Sequence, residues 1–294
     1  MEKTKVVVTG GAGFVGSHLC EALASSGEYE VISIDNYFTG SKDNHVDNVE
    51  YIHADASDID QVVSGADLVY HLGEYSRVEQ SFEDLERVWE FNKNGIFGVL
   101  QFCRKHNAKL IYAGSSTKYA DDGEGPYQSP YAWTKSSNTD FVRAYANWFD
   151  IDYAITYFYN VYGKREIATG KYATLIAKFT EKMKNNEPLT VVKPGTQIRN
   201  FTHVNDIVNG LLLVGQYGHG DGYGIGNPTA YSVLDVAEMF NPTQIDFLPE
   251  RKGNRMTASV MTDRIRILGW EPQKELSDYI EELRNVNWNK NEVH

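Results

Sequence analysis

An α/β fold built on a parallel, doubly wound sheet is what this 294-residue sequence predicts. Three observations carry that reading. Short Val- and Ile-rich runs alternate with helical patterns through the first half of the chain. The first run ends in glycines that open a helix, and an aspartate ends the second.

The elements follow in order. KVVVTG (5–10) is short, valine-rich and stopped by glycine, as a strand buried on both faces is. A helical pattern covers 14–26. EVISID (30–35), VEYIHAD (49–55) and DLVYHLG (67–73) read as strands two to four. A helical stretch runs through 81–106, and KLIYAGSS (109–116) is the fifth strand. A second long helix covers 131–149, and DYAITYF (152–158) is the sixth strand. After about residue 163 the rhythm changes. A helix at about 172–185 precedes PLTVVKPGTQIRNFTHV, an extended segment broken by a Pro-Gly turn. A helix at 205–217, a strand at 222–226 and helices at 231–240 and about 275–288 complete the chain. The expected division is a Rossmann-type dinucleotide-binding domain over 1–163, with segments of about 200–240 contributing to it. A smaller, mixed α/β C-terminal domain over 164–294 is interwoven with it.

Composition narrows the function classes. Hydrophobic residues make up 41% of the chain, enough for a sizeable core and too many for wholesale disorder. The net charge of −12 argues against nucleic acid, where a basic footprint is expected. An anionic ligand would need local cations, and the richest local excess is Arg251, Lys252, Arg255, Arg264 and Arg266. No apolar run reaches the roughly 18 residues of a membrane span. The chain enters its first strand at once, leaving no room for a signal peptide. Cys20 and Cys103 are the only cysteines and form no metal-binding spacing. A cytoplasmic protein without a metal site, and without nucleic-acid or membrane partners, is the expectation.

VTGGAGFVGSH holds Gly11-x-Gly13-x-x-Gly16 and, overlapping it, Gly10-x-x-Gly13-x-x-Gly16. Glycines there allow a tight strand-to-helix turn and let backbone N–H groups approach a pyrophosphate, which the helix N-terminus also favours. Asp35 ends the second strand 19 residues after Gly16, where a ribose-binding carboxylate belongs. Its charge repels the extra phosphate of NADP, and neighbouring Asn36 offers no cation. NAD is the expected cofactor.

SPYAWTK (129–135) puts Tyr131 and Lys135 on one helix face. A free phenol ionises near pH 10 and is no base at neutrality. A nearby ammonium in a partly dry site favours the phenolate. Taken alone the pair reads as a solvated helix face. The hydroxyl-rich turn GSSTKY changes that, because it lies at the carboxyl end of the fifth strand, where ligands of doubly wound sheets bind. Ser115 is placed to relay a proton from a sugar hydroxyl to Tyr131, while Ser116 and Thr117 read as turn residues.

At these residues the chain resembles the extended short-chain dehydrogenase/reductases, specifically their NAD-dependent nucleotide-sugar epimerases and dehydratases. TGGAGFVGSHL resembles the cofactor loop, with Gly10, Gly13, Phe14, Val15 and Gly16 at the cofactor. The resemblance implies that Asp35 and Asn36 meet the ribose side and that Asp55 and Ala56 meet the adenine. It also implies Leu72, Gly73, Asn92 and Tyr159 on the cofactor side. PYAWTK is similar to the catalytic Tyr/Lys motif, making Ser115, Tyr131 and Lys135 the catalytic set. YFYNVYG and QIRNFTHVND imply that Asn160 and Arg199 hold a nucleotide diphosphate. Arg251 and Arg255 are further diphosphate candidates, and a solvated basic loop is the alternative. The resemblance makes the C-terminal region a nucleotide-sugar domain and implies a homodimer pairing the helices that bear Trp89, Phe91, Phe97 and Phe102, and Tyr145, Trp148 and Phe149. Core packing is the plainer reading of those rings.

Departures narrow the chemistry. Dehydrating relatives follow the catalytic hydroxyl with an Asp-Glu pair, and decarboxylating ones carry a glutamate there. Here Ser116 and Thr117 occupy those places. Epimerisation at C4 of a UDP-sugar is the expected activity, by transient oxidation and return of the hydride to either face. A 4-keto-sugar reductase and a non-catalytic NAD sensor are the alternatives. Gly114 stands for a usual serine, Ala120 for a usual glycine and Arg199-Asn200 for the usual Arg-Asp. Glu74 stands where a small residue is usual, and its sequence leaves three readings open: a functional group, one pointing away, or one tuning substrate choice. His18, His71 and His203 read as packing residues.

Overall fold

Runs of β-branched and aromatic residues build one seven-stranded parallel sheet in the computed structural model of the protein, which describes residues 3–119, 124–250 and 260–287. In chain order the elements are β1 (Thr4–Thr9), α1 (Phe14–Ser26), β2 (Tyr29–Asp35), β3 (Val49–His53), α2 (Ile59–Val62), β4 (Leu68–His71), α3 (Leu85–Trp89), α4 (Gly95–His106), β5 (Lys109–Ser115), α5 (Pro130–Phe149) and β6 (Tyr153–Phe158). There follow β7 (Val161–Tyr162), α6 (Leu175–Lys184), β8 (Leu189–Val192), β9 (Ile198–Asn200), β10 (Thr202–His203), α7 (Val204–Tyr217) and β11 (Gly220–Ile225). The last are β12 (Ala230–Ser232), α8 (Val233–Met239), β13 (Ile245–Leu248), α9 (Asp263–Ile267) and α10 (Leu276–Asn287).

The sheet runs β11-β6-β5-β4-β1-β2-β3, every pairing parallel. That is the doubly wound α/β class expected from the alternating runs. Strand side chains alternate between faces. Val7, Val69, Leu110 and Ile155 therefore pack with Val99 and Phe102 of α4 and Val142 of α5. Val6, Val8, Ile111 and Ala154 face the other way, onto Leu19 and Leu23 of α1 and Ile207 and Leu211 of α7. The order reverses between β1 and β4, which opens a crevice at their carboxyl ends.

The continuous helix expected over 81–106 is interrupted. Glu79–Phe82 is a 3₁₀ turn, and a π turn at Glu90–Asn94 separates α3 from α4. The wider turn carries Asn92 inward, where its Oδ1 accepts the Tyr75 N–H at 2.7 Å and its Nδ2 donates to Thr134 Oγ1 at 3.0 Å.

A third cluster lies outside the sheet, with Tyr162, Phe179, Val191, Phe201, Phe240 and Leu276 at its centre. It is framed by short pairings, β8 with β13 and β9 with β12. Among the described residues no helix is long and apolar enough to cross a membrane, and no group of His, Cys, Asp or Glu is placed to hold a metal.

The loop after β7 buries most of Glu166. Its Oε2 accepts the Gly163 N–H at 3.0 Å, and its Oε1 has no hydrogen-bond partner. Burial pushes this carboxyl up to about 7, against the Gly163 N–H. An unfolded glutamate titrates near 4.3. Between these values the native chain holds a proton that the unfolded chain has lost. Stability from this group is therefore complete below about pH 4 and declines as pH rises through 7. We expect Glu166→Gln to change urea stability little at pH 5 and to raise it by about 1–2 kcal/mol at pH 8, discounted for partial exposure. Equal effects at the two pH values would contradict this reading.

Candidate functional site

The crevice at the strand reversal continues into a cavity of about 680 Å³ bounded by the carboxyl ends of β1, β2, β4 and β5, the start of α5 and the Glu166 loop. Its floor is the glycine turn. Gly10 has φ of 74°, and a Cβ on it would stand 2.8 Å from Gly73 Cα, so β1 and β4 approach too closely for any side chain. A Cβ on Gly16 would stand 2.1 Å from Gly10 O. With these positions bare, α1 starts directly after Gly13, and the first-turn N–H groups of Phe14, Val15 and Gly16 have no partner within the helix. That is a cradle for a phosphate.

Asp35 closes one end of the cradle. Its Oδ2 accepts the Ala12 N–H at 2.9 Å and its Oδ1 the Tyr37 N–H at 2.8 Å. Burial raises its carboxyl above the usual range against those two donors. Each oxygen retains a lone pair for a ribose hydroxyl. The bare turn and the carboxylate together fit a dinucleotide.

The second half of the site is the meeting of α5 with β5. Ser129 caps α5, its hydroxyl accepting the Ala132 N–H at 3.1 Å, and Pro130 occupies the first turn. Tyr131 thus lies at the helix start, facing the end of β5. Its hydroxyl donates to Ser115 Oγ at 3.1 Å, and the Thr117 hydroxyl donates to the same oxygen at 2.9 Å. One turn on, the Lys135 ammonium is buried and bonds the Glu74 carboxylate and the Ala113 carbonyl.

Of the three readings open for Glu74, the structure removes the one in which it points away: the carboxylate points inward. It also accepts the Tyr112 hydroxyl at 3.0 Å and Asn138 Nδ2 at 3.0 Å, and His71 Nε2 lies 3.5 Å away. Burial alone would raise this carboxyl, but Lys135 and His71 outweigh burial and hold it well below the usual range. His71 is fully buried, with Nδ1 2.7 Å from Thr9 Oγ1. His18 bonds the Lys164 carbonyl through Nε2 at 2.9 Å, and His203 packs against Tyr162 and Tyr279.

Of the residues singled out from sequence, Gly10, Gly13, Phe14, Val15, Gly16, Asp35, Asn36, Ala56, Leu72, Gly73, Ser115, Tyr131, Lys135, Asn160 and Arg199 all line this one cavity. Asp55, Asn92 and Tyr159 do not. Asp55 sits behind Asn36, accepting its Nδ2 at 2.7 Å. Asn92 is spent on Tyr75 and Thr134, and Tyr159 is buried with its hydroxyl accepting the Met261 N–H at 3.0 Å. Arg251, Arg255 and Ala120 lie outside the described residues. Arg77 and Glu166 are among the cavity residues that the sequence reading did not single out. Arg77 is tied to the Tyr172 carbonyl through Nε at 2.9 Å and to Ser76. A charged side chain in the loop after β4 was the available signal for it.

Comparison with known proteins places this geometry. The sequence model described as the NAD dependent epimerase/dehydratase family matches residues 6–226. A putative UDP-glucose 4-epimerase of Methanocaldococcus jannaschii is 29% identical, the alignment covering 97% of this chain and 98% of that protein. UDP-glucuronic acid decarboxylase 4 of Arabidopsis thaliana is also 29% identical, over 92% of this chain and 66% of that longer protein. Among solved structures, a UDP-glucuronic acid 4-epimerase from Bacillus cereus in complex with UDP-glucuronic acid and NAD superposes with a TM-score of 0.86. It is 25% identical, with 96% of this chain and 98% of that one covered. The bare glycine turn, the carboxylate beside it and the Ser-Tyr-Lys cluster thus belong to a member of the NAD dependent epimerase/dehydratase family.

Proposed function

We propose that this chain is an NAD-dependent nucleotide-sugar 4-epimerase acting on a UDP-sugar. The observation that carries the reading is the Tyr131 hydroxyl donating to Ser115 Oγ at 3.1 Å inside the cavity, with no carboxylate directly after Ser115 to drive elimination. Thr117 fills that place and donates to Ser115 instead. Glu74, an acid at the cavity wall, is engaged by Lys135, Tyr112 and Asn138. Relatives include decarboxylases as well as epimerases, and the residues after Ser115 favour epimerisation here.

Bound NAD supplies the acceptor and donor of a hydride at its nicotinamide. The chain's own residues manage the proton and the geometry. Tyr131 takes the proton of the sugar's 4-hydroxyl through Ser115, leaving a 4-keto sugar, and returns it after the sugar has turned its other face. Lys135 places a positive charge one helical turn from the phenol. Arg199 and Asn160, which line the same cavity, grip the diphosphate, for which a guanidinium fork is well shaped. A firm anchor at the diphosphate and weak contacts at the sugar are what let the ring rotate between the two half-reactions.

The homodimer is proposed from surface chemistry. Trp89 and Trp133 stack at 6.2 Å, and with Phe97 and Trp148 they expose large apolar surface on α3, α4 and α5. Light scattering of the purified protein at micromolar concentration should return twice the chain mass. A single-chain mass at all concentrations would refute the pairing.

Tyr131→Phe tests the chemistry. We expect turnover to fall at least about a hundredfold, the scale of general acid–base catalysis, while NAD stays bound. Near-normal turnover would remove Tyr131 from the mechanism.

A further inference from the structure

Glu74 is a charged group beside the catalytic lysine that the reaction above leaves unused. Glu74 lines the cavity, yet its side chain is only 3% exposed. Every element packed around it brings a donor or a charge. From α5 come Lys135 Nζ and Asn138 Nδ2, the latter at 3.0 Å. From β5 comes the Tyr112 hydroxyl at 3.0 Å, and from β4 His71 Nε2 at 3.5 Å. Lys93 of the π turn bonds Asn138 Oδ1 at 2.8 Å, one residue removed from the carboxylate. Arg77 and Tyr131 border the same cavity. A carboxylate so thoroughly received is ionised, and its strongest partner is the lysine of the catalytic pair.

Two consequences follow from elementary chemistry. An ammonium has three N–H groups. Lys135 gives one to Glu74 and one to the Ala113 carbonyl, so its direction is set and one donor remains for the site. The charges of Lys135 and Glu74 also cancel. Ionising Tyr131 gains no net charge neutralisation from this pair, whereas beside an unpaired lysine it would neutralise one; the Arg77 guanidinium, which also feels Tyr131, is the same in both cases.

We propose that Glu74 is a positioning residue for Lys135 that also cancels its charge, so that Tyr131 loses its proton at higher pH than an unpaired lysine would allow. The proposal rests on the epimerase reading only for its kinetic readout.

The experiment compares wild type, E74Q and E74D, each loaded with NAD. The pH dependence of kcat/KM with a UDP-hexose is measured first. Ionisation of Tyr131 is then followed by NMR of tyrosine labelled with ¹³C at Cζ, the resonance being identified by its absence in Y131F. Removing one nearby charge from a partly buried site should move the acid limb, and the Tyr131 titration, down by about one pH unit in E74Q. E74D, which keeps the charge, should restore both towards wild type. If E74Q does not fold, E74A makes the same removal of charge and must give the same displacement. A limb and a titration that stay in place or move up overturn the proposal. If no UDP-sugar is turned over, the epimerase reading fails, and the NMR titration still decides the role of Glu74.

Discussion

Everything at this site depends on where the start of α5 meets the end of β5. Ser129 and Pro130 fix the helix start, and Tyr131 follows at once with its hydroxyl 3.1 Å from Ser115 Oγ. A shift of one residue along α5 would rotate Tyr131 by about 100° away from the strand. The helix is held against that shift by the sheet: Val142 and Tyr145 are buried with Leu110 and Tyr112 of β5, and Lys135 bonds the carbonyl of Ala113. Packing far from the cavity thus sets the position of a single oxygen within it.

The electrostatics are local and set against a net charge of −12. Burial disfavours charge throughout the site, and the structure answers it differently at each carboxylate. Glu74 is kept ionised by Lys135 and His71, whereas Glu166, with a single backbone donor at 3.0 Å, is pushed towards neutrality. The difference is direct contact: Lys135 bonds Glu74, whereas Arg77 acts on Glu166 only through its charge and does not offset burial. Removing either member of a buried ion pair strands the other, at a typical cost of about 3–5 kcal/mol. The Glu74–Lys135 pair is therefore a structural commitment whatever its part in the chemistry.

How much of this was legible in the sequence varies with the range of the interaction. The six N-terminal strands and the glycine turn follow from local pattern, because buried parallel strands are short apolar runs and tight turns need glycine. That Ser115, Tyr131 and Lys135 meet at one place was legible through spacing within one helix and one strand end. The π turn was not, since it answers to Asn92 finding Tyr75 and Thr134, partners 17 and 42 residues away. Glu74 could be singled out as unusual, but its direction depends on Lys135, 61 residues further on. Arg77 was missed for the same reason. A charge in a loop is ordinary until the fold brings that loop to the wall of a cavity.

In the proposed epimerase reaction the hydride leaves C4 of the sugar and returns to the same carbon within one active site. The most direct measurement uses a UDP-hexose carrying deuterium at C4, incubated with the NAD-loaded protein. The expected product is the C4 epimer, with the deuterium still at C4 and no accumulation of NADH. An epimer whose C4 deuterium has been replaced by hydrogen from solvent would contradict it.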